Sequence, residues 1–167
     1  SPIRRRRRSP ASSAAAMTSP LRLCVRRSPE PGAAVTVSLS VPTDVDCIEE
    51  AVALVTRHCL AGTAAGPQLR FRLQVSLSEA LANAMLRGNR QDPAKRVEVA
   101  VELDRVTIRI RVTDEGGGFD PAAVPEPLAP AQILAGSGRG LFLIRSLVDA
   151  VEFNERGNSI CMLLRRR

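Results

Sequence analysis

Between Val97 and Val112 the chain alternates. Val97, Val99, Val101 and Leu103 are separated by charged or small residues, and Val106, Ile108, Ile110 and Val112 repeat the pattern after Asp104-Arg105. A period of two puts all the apolar side chains of a strand on one face, and so short a connection makes a tight hairpin. The chain is thereby committed to a sheet with one apolar face, which a second layer has to cover.

That layer is legible on both sides of the hairpin. Val35 to Val41 alternates and stops at Pro42, another strand. Thr43 or Asp44 can cap a helix with Ile48, Ala51, Val52, Leu54, Val55 and Cys59 on its apolar face and Gly62 at its end. A second helix follows Pro67 and runs to about Gly88, with Leu69, Leu73, Leu77, Leu81, Ala84 and Met85 at helical spacing. Beyond the hairpin, Asp114 to Gly140 is a long Gly- and Pro-rich loop, of a length that usually has a functional reason. A short helix over Leu141–Val148 and strands over 150–154 and 159–164, joined by Glu155-Arg156-Gly157-Asn158, complete the order β-α-α-β-β-loop-α-β-β. The expected fold is α+β: a two-layer sandwich of a mixed, mostly antiparallel sheet with helices on one face.

A chain of 167 residues holds one domain of ordinary size. With 44% apolar residues it is not disordered as a whole, and with 2% aromatics it is poor in platforms for stacking bases or sugars. No apolar run approaches the roughly 20 residues that span a bilayer, so no membrane role is expected. The net charge of +7 is carried by the ends: Arg4–Arg8 and Arg165–Arg167 hold eight positive charges, leaving the rest at −1. We read these as solvated tails and not as a nucleic-acid surface. Residues 1–32, rich in Ser, Pro, Ala and Arg, are expected to form a disordered tail, with Met17 a candidate true start, and 33–167 the folded domain. Cys24, Cys47, Cys59 and Cys161 contain no CxxC pair, and the single histidine, His58, leaves no zinc-ligand cluster. Reduced, core-type cysteines point to a cytoplasmic protein.

Three motifs carry chemistry. Glu79-Ala-Leu-Ala-Asn83 puts a carboxylate and an amide one helical turn apart on one face; the pair suits proton abstraction and Mg²⁺ ligation, and by itself also an ordinary solvated stripe. Asp114-Glu-Gly-Gly-Gly-Phe-Asp120 follows a strand, so its first carboxylate stands where bare backbone lets a ligand approach. Gly136-Ser-Gly-Arg-Gly140 opens a helix, whose free N–H groups suit phosphate.

In this order the motifs E-x-x-x-N, D-x-G-x-G and G-x-G-x-G resemble the N box and glycine boxes of the GHKL, or Bergerat-fold, ATP-binding domains of gyrase and histidine kinases. EALANAMLRGN, DEGGGFDP and GRGLFLIRSLVDAVEFNERGN are most similar to the stand-alone bacterial anti-sigma-factor serine/threonine kinases. The resemblance covers about 35–165 and implies ATP and Mg²⁺ as cofactors. It implies Glu79 as the base that activates the acceptor hydroxyl, Asn83 as the Mg²⁺ ligand, and Asp114 on the adenine amino group against Gly116 and Gly118. Phe119 would begin a lid running to Gly138, and Gly136, Gly138, Arg139, Gly140 and Leu141 would line the phosphate side. Arg87 stands where many of these kinases have histidine, and Gly157-Asn158-Ser159 only loosely echoes the last glycine box.

The function implied is that of an ATP-dependent serine/threonine protein kinase and anti-sigma factor. Such a protein phosphorylates an anti-sigma-factor antagonist, binds a sigma factor in a partner-switching circuit, and forms a homodimer. The competing reading is a nucleotide-gated protein-binding module without catalysis.

Overall fold

A computed structural model describes residues 20–27, 35–62, 65–123 and 138–166. Among these residues six strands form one sheet: β1 Arg22–Arg27, β2 Val35–Pro42, β3 Arg96–Leu103, β4 Thr107–Asp114, β5 Ala150–Phe153 and β6 Ser159–Arg165. Their order is β1-β2-β3-β4-β6-β5, and every neighbouring pair is antiparallel. The α+β sandwich is as expected, with antiparallel pairing throughout. Val106 lies in the β3–β4 turn and not in β4. There the Asp104 Oδ1 accepts from the N–H groups of Val106 and Thr107 at 2.7 and 2.6 Å and closes the hairpin.

Among the described residues three helices cover one face: α1 Ile48–Leu60, α2 Pro67–Asn83 and α3 Arg139–Leu147. Leu73, Leu77 and Leu81 of α2 are fully buried against Val37, Leu39, Val99, Ile110 and Met162 of the sheet. Each such side chain contributes ~1.5–3 kcal/mol by leaving water. On the opposite face Ser38, Glu98, Glu102, Arg109 and Arg111 are exposed. Cys161, expected in the core, pairs in register with Arg111 on that open face and is half-buried, whereas Cys47 and Cys59 are buried under the helices.

The boundary expected at residue 32 is corrected. β1 falls within the segment read as a tail and pairs with β2 from Arg22–Ser40 to Arg27–Val35. Leu21, Leu23 and Val25 alternate with Arg22 and Cys24, a signal hidden by the Arg- and Pro-rich flanks. Residues 1–19 and 28–32 lie outside the described residues, as do 124–137 of the expected lid.

The second helix also departs from expectation at its end. α2 stops at Asn83 and continues as a π turn over Ala84–Gly88. One wider turn of this kind rotates the side chains after it relative to the helix face before it, and such turns cluster at functional sites.

Candidate functional site

The end of α2, the π turn, the end of β4, the β5–β6 turn and the start of α3 meet at one end of the sheet. They enclose a cleft of about 410 Å³, within the rough 300–1,000 Å³ range of ligand pockets.

One wall joins α2 to α3. Glu79 and Asn83 project from successive turns of α2 toward Gly140, in the first turn of α3. A Cβ at 140 would stand 2.6 Å from the Glu79 Oε2 and 3.2 Å from the Asn83 Nδ2, so only glycine lets both side chains reach the helix start. Asn83, Gly138, Gly140 and Leu141 line the cleft; Glu79 is not among the lining residues and lies against Gly140. Arg87 also lines it, from the π turn.

The opposite wall is built on Asp114, the last residue of β4. Its main chain exchanges hydrogen bonds with Asn158 of the β5–β6 turn: the Asp114 N–H donates to the Asn158 carbonyl, and the Asn158 amide donates to the Asp114 carbonyl, both at 2.9 Å. The Gly116 N–H donates to Oδ1 at 2.8 Å, and Gly88 packs directly on the carboxylate, where no side chain would fit. Burial raises the Asp114 pKa above the usual carboxylate value; the Gly116 N–H and the charges of Arg156 and Lys95 oppose the shift without cancelling it. A carboxylate kept partly dry, with one oxygen already engaged, is suited to accept a hydrogen bond from a ligand amine.

The loop after Asp114 is held by the β5–β6 turn. The Arg156 guanidinium donates to the Gly116 carbonyl at 3.1 Å, and Gly118, at φ +78°, lies against the Arg156 carbonyl. Phe119 meets Phe153 edge to face, centroids 5.2 Å apart. Gly118 and Phe119 line the cleft. Gly116 does not: it is buried behind the wall, against the Gly88 carbonyl. Arg139 is exposed and is not among the lining residues. Gly136 lies outside the described residues.

Several contributors escaped sequence reasoning. Gly88, Arg90, Asn158, Ser159 and Phe153 line the cleft. Asn158 and Ser159 sit in the loosely matching last glycine box, and the Ser159 hydroxyl is 2.7 Å from that of Thr113. Asn89 carried no signal. It is fully buried, and its amide donates to the Thr43 hydroxyl and the Arg96 carbonyl at 2.9 Å each while its Oδ1 accepts from the Glu115 N–H at 2.7 Å. One side chain thus ties the π turn, the start of β3 and the loop after β4. Among the described residues no three His, Cys, Asp or Glu side chains gather as a metal site. A divalent ion here would have Asn83 as protein ligand and complete its shell with phosphate and water, the habit of Mg²⁺.

Residues 41–164 match the histidine kinase-like ATPase domain, and the chain belongs to that family. Among its relatives are an anti-sigma F factor of Clostridium beijerinckii, 32% identical over 57% of this chain and 68% of its own length, and the serine-protein kinase RsbW of Oceanobacillus iheyensis, 28% identical over 54% of this chain and 61% of its own. The RsbW of Bacillus pumilus is 36% identical over 48% of this chain and 54% of its own length, about half. A solved structure of RsbU and RsbW domains from Mycobacterium tuberculosis has the same fold, with a TM-score of 0.54 over 85% of this chain and 34% of that one, at 19% identity. Among the described residues no helix is long and apolar enough to cross a membrane.

Proposed function

We propose that the chain is a serine/threonine protein kinase and anti-sigma factor of the cytoplasm that phosphorylates an anti-sigma-factor antagonist and binds a sigma factor. The observation that carries this reading is the convergence of Glu79 and Asn83 on Gly140, at one end of a cleft whose other end holds a half-buried Asp114. A module that only binds nucleotide has no need of a carboxylate at the helix start. The residues fit ATP: the cradle at Gly140 is one that a Cβ would fill, and the cleft has room for a nucleotide.

ATP bound here supplies the phosphoryl group, and Mg²⁺ neutralises its charge. Asp114 accepts from the adenine amino group, with Gly118 and Phe119 shaping that wall. Gly138, Gly140 and Leu141 bring the backbone of α3 close to the phosphates, Arg87 adds positive charge, and Asn83 holds the ion. Glu79 would take the proton from the acceptor serine or threonine hydroxyl as its oxygen bonds to the γ-phosphorus and the bond from that phosphorus to the bridging oxygen breaks, releasing ADP. Resemblance to the family also supports a homodimer.

The test supplies Mg²⁺, ATP and candidate antagonist proteins and follows phosphate onto serine or threonine, with Glu79→Gln alongside. Transfer that falls by roughly 10²-fold or more in the variant, with ATP affinity kept, is the expected result. Transfer that persists would remove Glu79 as base. ATP binding without transfer to any candidate would favour a nucleotide-gated binding module.

A further inference from the structure

The turn after the π segment carries two consecutive left-handed residues with side chains. Arg90 and Gln91 have φ of 55° and 59°, in the left-handed region that residues with a Cβ enter at a penalty. The turn is held there from within the protein. The Asn89 N–H donates to the Ala84 carbonyl at 2.7 Å and the Gln91 N–H to the Met85 carbonyl at 2.8 Å, while the buried Asn89 side chain is anchored by three hydrogen bonds. Strain that the surroundings over-determine is characteristic of functional positions.

What the turn delivers is the Arg90 side chain. It lines the cleft, is exposed, and has no hydrogen-bond or ion-pair partner among the described residues. An unpaired guanidinium in a cleft wall is an array of donors suited to an anion. Its position along the cleft narrows which anion. Gly88, two residues earlier, abuts the Asp114 carboxylate, whereas Glu79 and Asn83 face α3 at the other end.

We propose that Arg90 is a nucleotide-contacting residue whose guanidinium pairs with the phosphate bonded to the nucleotide's sugar. The proposal rests on the nucleotide reading of the cleft given above. The strained backbone of Arg90–Gln91 serves to aim that side chain, and Asn89 is a positioning residue for it.

The decisive variant is Arg90→Gly, because glycine adopts the left-handed backbone freely while the guanidinium is lost. The thermal midpoint of the nucleotide-free protein is expected to hold or rise. The ADP dissociation constant is expected to rise about tenfold, the order of one charge-assisted pair, and adenosine binding, read by ligand-observed NMR, to stay within about twofold. Unchanged ADP affinity would overturn the proposal. Equal losses for ADP and adenosine would put Arg90 on the base and overturn its assignment to phosphate. A lower midpoint together with weaker binding of both ligands would make Arg90 structural and overturn it as well. Failure of the unaltered protein to bind ADP or adenosine would show before any variant is made, and would overturn the nucleotide reading itself.

Discussion

Two side chains sit where their own chemistry works against the fold. Thr56 lies on α1, almost wholly buried, and its hydroxyl has no hydrogen-bond partner. Thr56→Val removes that orphan at nearly constant volume and should raise stability by about 1 kcal/mol, read from urea unfolding midpoints at unchanged slope. Asp114 is the second. Burial raises its pKa, so its charged form is disfavoured in the folded state. Its contribution to stability is therefore fully present below the unfolded-state pKa and lost as pH rises through the folded one. The nucleotide-free Asp114→Asn variant should melt above the parent at neutral pH, with the gap closing as pH falls into the carboxylate range. The same variant should bind ATP more weakly, so one substitution separates the stability of the wall from its use. Cys59 has no comparable role: burial pushes its thiol up to about 12, and it stays protonated at neutral pH.

At the scale of elements, the cleft depends on how α3 is docked, and a single arginine governs its far end. Arg72 of α2 donates from Nε to the Leu147 carbonyl, the last of α3, at 2.5 Å, and pairs with Asp149 at 2.8 Å. Asp149 in turn accepts from the Arg165 N–H of β6, so three elements share one junction. A cation at a helix C-terminus also complements the helix dipole. Arg72→Met keeps the aliphatic stem and drops the donors. Because the pair is partly solvated, with side chains 21% and 23% exposed, the expected loss is about 1 kcal/mol, or a fall of roughly 3 °C in the melting midpoint. The helices themselves were legible from residue types. The α2 stripe of Leu69, Leu73, Leu77 and Leu81 marks its buried face through local spacing alone. The π turn at Ala84–Gly88 was not, because a wider turn leaves the apolar periodicity of Ala84 and Met85 intact.

The whole molecule is a sheet whose edge strand decides where the domain begins. A chain starting at residue 33 would leave the β1-facing edge of β2 unpaired along Val35–Ser40 and uncover apolar surface beside it; it should melt lower and associate more readily than a chain starting at Met17, as light scattering during thermal melts would read. Composition hid β1, since five arginines and repeated prolines dominate the flanking segment while the strand is short. In the centre of the chain the opposite holds. Alternation in β3 and β4 and the spacing of Glu79 from Asn83 were enough to assign elements and the side on which each residue lies, because both follow from backbone geometry over a few neighbours. The approach of Gly140 to Glu79, the clasp of Arg156 on Gly116 and the reach of Asn89 to Thr43, Arg96 and Glu115 follow from no such rule. Most of these contacts join residues far apart in the chain, and they exist only once the helices have settled on the sheet, since packing fixes which backbone groups lie within hydrogen-bond reach. The motifs therefore mark where along the chain the cleft's residues lie, and the packed layers supply its shape.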